Sequence, residues 1–121
     1  MRFIDSKTHG FLDYASGILF IASPWLFDFT TGDTAMWVPI VVGIIVLVMS
    51  LMTKYEMGAV YKIPFVVHLN IDVITGIFLI ASPWIFGFAE VVKWPHVIFG
   101  ILALGAGLFT KKNVQSPQID I

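Results

Sequence analysis

The sequence predicts an all-α protein, a four-helix transmembrane bundle made of two tandem helical hairpins, and three observations predict it. Of the 121 residues, 58% are hydrophobic and only 12% charged, with a mean hydropathy of +0.90. Soluble domains average about 45–50% apolar and about 25% charged. The apolar residues gather into four runs separated by polar turns. Finally, the chain is one unit written twice. His68, Asp72, Gly76, Ala81, Ser82, Pro83, Trp84 and Phe86 repeat His9, Asp13, Gly17, Ala22, Ser23, Pro24, Trp25 and Phe27 at an offset of 59. Trp94, Gly100 and Thr110 repeat Trp37, Gly43 and Thr53 at an offset of 57, which puts a two-residue length difference after Phe29, as expected of a surface loop.

Repeat one spans 5–53. A short polar lead precedes a helix over about 5–29; Asp5 aligns with Pro64, and Asp5 or Ser6 supplies the cap. Such a helix of roughly 20–25 residues, rising about 1.5 Å per residue, crosses a hydrocarbon core of about 30 Å. His9 and Asp13 then lie within one leaflet. Ser23-Pro24-Trp25 reaches the opposite interface, where tryptophan is enriched and proline ends or kinks a helix at little cost. Residues 28–36 form a polar turn, and the second helix, about 37–53, opens on Trp37-Val38-Pro39. A linker, 54–63, leads to repeat two, 64–110, with helices over about 64–88 and 94–110. Residues 111–121 read as a polar tail.

A net charge of -1 and seven basic residues leave no clustered basic face for nucleic acid. The absence of cysteine excludes disulfides, thiolate metal sites and cysteine catalysis. Arg2 and Lys7 precede an apolar run too long for a signal peptide and without a small-x-small cleavage site, so the run reads as an uncleaved first membrane helix. Arg2, Lys7, Lys54, Lys62, Lys111 and Lys112 fall on one side of the four-helix plan and only Lys93 on the other, which predicts both termini in the cytoplasm. Trp25, Trp37, Trp84 and Trp94 then collect at the outer face. With an even number of helices per repeat, the two copies insert with the same polarity, related by a pseudo-two-fold axis along the membrane normal.

The doubled Ala-Ser-Pro-Trp, each copy preceded by His-x3-Asp-x3-Gly and followed by a second apolar helix, resembles the SPW-repeat family of small bacterial and archaeal membrane proteins. The likeness covers about residues 9–110, and Ser23, Pro24, Trp25, Ser82, Pro83 and Trp84 are the positions that carry the family motif. It implies the fold and a multi-pass location in the cell (inner) membrane, and it contributes no catalytic residue.

The residues suited to chemistry are His9 and Asp13, and His68 and Asp72, each pair one helical turn apart on a shared face. A carboxylate within a bilayer costs about 2.5–3.5 kcal/mol at a helix centre and normally faces a protein partner. The favoured reading is that the pairs hydrogen-bond across the helix interface and hold the repeats together. A proton or small-cation pathway through the same four residues is the alternative, and a two-His, two-Asp metal site is a variant of it. No cofactor and no resident metal is expected. At the other end, Pro24 and Pro83 release the carbonyls of Phe20 and Leu79, which Ser23 and Ser82 can satisfy; neither serine has a base nearby, so no enzymatic activity is expected. His96 has no counterpart in repeat one and is expected to be solvated beside Glu90 and Lys93. Asn70 faces away from His68, and Ala103 with Gly107 forms a small-residue step on the last helix. The expected partner is the lipid bilayer, with a homo-oligomer or a membrane-protein partner compatible with so little polar surface. A soluble partner would have to grip the linker through Lys54, Tyr55, Tyr61 and Lys62.

Overall fold

Asp5 starts the first helix: its side chain accepts a hydrogen bond from the Thr8 amide at 2.7 Å, which holds its carboxyl below the usual carboxylate range. In the computed structural model, which describes residues 1–114, the chain forms α1 (Ser6–Leu26), α2 (Thr34–Leu51), α3 (Phe65–Ile85) and α4 (Trp94–Phe109), with no strands among the described residues. Of the predicted tail, residues 115–121 lie outside the described residues.

The helix boundaries differ from the expected ones for identifiable reasons. α2 begins at Thr34 rather than Trp37, because the Asp33 side chain accepts from the Ala35 amide and caps it. The Thr31 hydroxyl beside Asp33 also holds that carboxyl low. Pro39 therefore lies inside α2 and not in its first turn. α1 and α3 end at Leu26 and Ile85, three residues short of the predicted ends. In each, the chain reverses through a left-handed residue, Asp28 (φ 58°) or Gly87 (φ 74°). The next amide, of Phe29 or Phe88, then bonds back to the carbonyl of Pro24 or Pro83 at 2.8 Å.

Within each hairpin, glycine lets two backbones touch. A Cβ on Gly43 would stand 2.6 Å from the Gly17 carbonyl oxygen, and one on Gly100 would stand 2.6 Å from that of Gly76, so α1 packs on α2 and α3 on α4 at the same pair of repeat positions. Gly107 does the same against the Leu69 carbonyl. The hairpins meet mainly along α2 and α3, more thinly along α1 and α4.

Phe20, Val42, Val46, Leu79 and Phe99 fill the middle of the bundle, while Tyr55, Phe65 and Leu69 form a second apolar cluster near the chain termini. The outer faces carry exposed apolar side chains, among them Phe11, Ile18, Ile45, Ile74, Ile77 and Ile101, while His9, Asp13, His68, Asp72, Ser50, Thr53 and Thr110 are buried. A bundle with apolar residues outside and polar ones within is suited to lipid, and α2 and α3 are long and apolar enough to cross a membrane.

The base of the bundle is closed by backbone pairing. The Phe3 and Ile4 amides bond to the Phe109 carbonyl, Lys111 bonds back to Ile4, and Lys54 pairs with Ile63. Arg2 places a guanidinium nitrogen 3.0 Å from the Gly107 carbonyl oxygen and 2.7 Å from that of Thr110, covering the orphan carbonyls and negative dipole end of α4.

Candidate functional site

One helical turn separates His9 from Asp13 on α1 and His68 from Asp72 on α3, and the packing turns both faces toward each other. His9 Nε2 lies 3.1 Å from Asp13 Oδ1 and 2.8 Å from Asp72 Oδ2; His68 Nε2 lies 3.1 Å from Asp13 Oδ2 and 3.4 Å from Asp72 Oδ2. Each imidazole thus faces the carboxylate of its own helix and that of the other repeat. Both histidines are 0% exposed and both aspartates 6%. The sequence places each pair on one helix face; the structure brings the two pairs into a single cluster.

Two threonines orient the rings. His9 Nδ1 is 2.7 Å from Thr110 Oγ1, and His68 Nδ1 is 2.7 Å from Thr53 Oγ1. Each threonine hydroxyl donates its only hydrogen to a helix carbonyl, Ala106 from Thr110 at 2.6 Å and Met49 from Thr53 at 2.7 Å. Each Oγ1 must therefore accept from the ring, which fixes a proton on Nδ1 and aims Nε2 into the cluster. Helix spacing alone does not mark Thr53 and Thr110 as site residues; their recurrence at the second offset is the sequence signal for them.

Tyr55 carries no such signal, because it has no counterpart in repeat two. Its hydroxyl donates to Asp13 Oδ2 at 2.7 Å from a fully buried ring, and that burial pushes the phenol pKa up. Its neighbours lie against α1 as well, with Ser6 bonded to Glu56 and Tyr14 to the Met57 carbonyl. Of the four linker residues Lys54, Tyr55, Tyr61 and Lys62, Tyr55 lies inside the bundle, whereas Lys62 is exposed.

At the opposite end, the Ser23 hydroxyl donates to the Phe20 carbonyl at 2.7 Å and that of Ser82 to the Leu79 carbonyl at 2.8 Å, the two acceptors that Pro24 and Pro83 deprive of an amide. Both serines and both prolines are buried, whereas Trp25 and Trp84 are 61% and 59% exposed. Trp37 and Trp94 are also exposed, in the opening turns of α2 and α4. His96 corrects an expectation: it is 0% exposed, not solvated. Its Nε2 donates to the Ala35 carbonyl at 2.8 Å, and its ring lies between those of Phe29 and Phe88. Ala35 needs a donor because the residue four positions on is Pro39. Asn70 lies on the exposed face of α3.

A cavity of about 450 Å³ opens along the seam between α1 and α4; Leu12, Leu19, Ile101 and Phe109 are among its walls, and Asp13 and Asp72 stand on its lining. The quartet is thus reachable from the side through an apolar groove.

These features define a class: an all-helical, internally repeated bundle that buries a polar cluster and presents apolar faces outward. Residues 7–110 match the model of the SPW repeat domain, and the chain belongs to that family. No curated protein and no solved structure matches it.

Proposed function

We propose that the protein is a non-enzymatic, multi-pass membrane protein in which the His9–Asp13–His68–Asp72 quartet is the joint between the repeats, serving a structural or accessory role. The observation that carries this reading is the crossing of the contacts: each histidine reaches the carboxylate of the other repeat, at 2.8 Å for His9 to Asp72 and 3.1 Å for His68 to Asp13. In this reading the repeats are related by a pseudo-two-fold axis along the membrane normal, the termini are cytoplasmic, and the partners are lipid and either further copies or another membrane protein. The absence of a catalytic role is supported by the commitment of both motif hydroxyls, Ser23 and Ser82, to helix carbonyls.

The alternative, a proton or small-cation channel or transporter, draws on the groove that reaches Asp13 and Asp72. Against it, Phe20, Val42, Val46, Leu79 and Phe99 fill the bundle core with apolar side chains, among which a conducting path would need polar groups.

The test is proton and cation flux into proteoliposomes, comparing wild type with D13N/D72N at matched, verified insertion. Both should match protein-free liposomes. D13A/D72A should melt far earlier than D13N/D72N, since removing one partner from a buried pair costs about 3–5 kcal/mol. Flux present in the wild type and absent from D13N/D72N would replace the joint with a conduction site.

A further inference from the structure

We infer that the quartet is a four-coordinate site for a divalent transition-metal ion of the zinc or cobalt type, which staples α1 to α3. The inference rests on the reading of the quartet as the joint of the bundle and names what that joint holds. The candidate ligand atoms, one each from His9, Asp13, His68 and Asp72, all lie within 4.8 Å of one another. A tetrahedral ion with bonds of about 2.0–2.2 Å sets its ligands about 3.3 Å apart. The imidazole-to-carboxylate distances here run from 2.8 to 3.4 Å, so enclosing an ion needs the closest pair to open by about half an ångström and the pairs standing up to 4.8 Å apart to close by about 1.5 Å.

Two further observations point the same way. His68 Nε2 is fully buried and aimed at both carboxylates, yet it makes no hydrogen bond of acceptable geometry. Its contacts with them, 3.1 Å to Asp13 and 3.4 Å to Asp72, are a matter of proximity and charge, and an ion between them would engage the nitrogen directly. Both rings donate Nδ1–H to a threonine oxygen, the arrangement by which proteins fix a metal-binding imidazole with Nε2 free to ligate. Charge permits the ion: two carboxylates, two neutral imidazoles and a divalent cation sum to zero, as do the same carboxylates with two imidazoliums, so the cation would replace two protons. Two nitrogens and two oxygens, with no cysteine in the chain, suit zinc or cobalt better than the oxygen-only shells of calcium and magnesium. The groove beside Asp13 and Asp72 brings open space to the site without unfolding of the bundle.

Tag-free protein in detergent, stripped with chelator and titrated with Co²⁺, tests this. One equivalent should bind with the intense visible d–d spectrum of a four-coordinate ion, and one equivalent of Zn²⁺ should bleach it. H9A and H68A should abolish the spectrum. Because they remove members of the joint and are at risk of misfolding, T53V and T110V provide the second arm: they keep every ligand and should weaken binding about 10–100-fold. Failure of folded wild-type protein to take up a saturable equivalent overturns the inference, as does uptake that all four variants leave unchanged. A wild type that binds no metal and conducts nothing sinks the ion and leaves the joint standing. Flux that vanishes in D13N/D72N sinks the joint itself.

Discussion

Pro24 and Pro83 each take a backbone donor out of a helix, and in each case the serine one position earlier supplies a hydroxyl to the stranded carbonyl, at 2.7 and 2.8 Å. The Ser-Pro step is therefore self-contained: it weakens the helix end and repairs it without help from another element. Beyond it the two copies differ at the turn residue. Both chains turn through a left-handed conformation, but repeat two uses Gly87 and repeat one uses Asp28, which carries a Cβ at φ 58°. A non-glycine residue there costs about 1–2 kcal/mol, partly offset by the roughly 0.4–1 kcal/mol that glycine loses through its freer unfolded chain. D28G should therefore raise stability by up to about 1 kcal/mol and G87A should lower it by a similar amount, measured as opposite shifts in thermal midpoint. Equal shifts of the same sign would show that the two turns are not equivalent. The serine repair was legible in the sequence, since a proline and the carbonyl four residues before it are fixed by spacing alone. The crossing of His9 to Asp72 was not, because spacing along a helix says which residues share a face and nothing about which face meets which.

At the scale of whole elements, Pro39 and His96 couple α2 to α4. Pro39 sits inside α2 because Asp33 caps the helix three residues earlier than the tryptophan signal suggested, and this leaves the Ala35 carbonyl buried without its helical donor. His96 of α4 supplies one at 2.8 Å. H96L should cost about 1–3 kcal/mol, the penalty of an unsatisfied buried carbonyl. Adding P39A restores the amide, so the double variant should recover much of that loss; strict additivity of the two changes in a double-mutant cycle would refute the coupling. The sequence hid this link because His96 has no repeat partner and lies next to Glu90 and Lys93, a context that reads as solvent. The glycine seams, in contrast, were half visible. The recurrence of Gly17 with Gly43 and of Gly76 with Gly100 follows from the offsets, but only packing shows that Gly105, on the same helix as Gly100, has nothing closer than 3.9 Å to a Cβ. G43A and G100A should each loosen a hairpin and lower the melting temperature well below that of G105A, which should behave as wild type.

Across the whole molecule, charge and polarity divide the two ends. The pairing of Phe3 and Ile4 with Phe109, of Lys111 with Ile4, and of Lys54 with Ile63 gathers Arg2, Lys7, Lys54, Lys62, Lys111 and Lys112 around the base. The exposed Trp25, Trp37, Trp84 and Trp94 ring the opposite end with Lys93 the one basic residue beside them among the described residues. A strong excess of Lys and Arg at one end sets the orientation of a multi-pass protein with that end toward the cytoplasm, and tryptophans settle at the interface. The native chain has no cysteine, so single cysteines can be introduced without background. K7C and K54C should react with a membrane-impermeant maleimide only after the cells are opened, whereas T31C and E90C should react in intact cells. Labelling of K7C and K54C in intact cells, with T31C and E90C protected, would invert the orientation and place the His–Asp quartet in the outer leaflet. Labelling of K7C and K54C from opposite sides would break the even-helix plan on which the equal depth of His9 and His68 depends. The depth of the quartet also decides how an ion or a proton reaches it, because His9 and His68 lie within the first turns of α1 and α3, near the basic end. With that end in the cytoplasm, the route to the quartet is short from inside the cell. From outside it would have to pass the apolar layer of Phe20, Val46, Leu79 and Phe99.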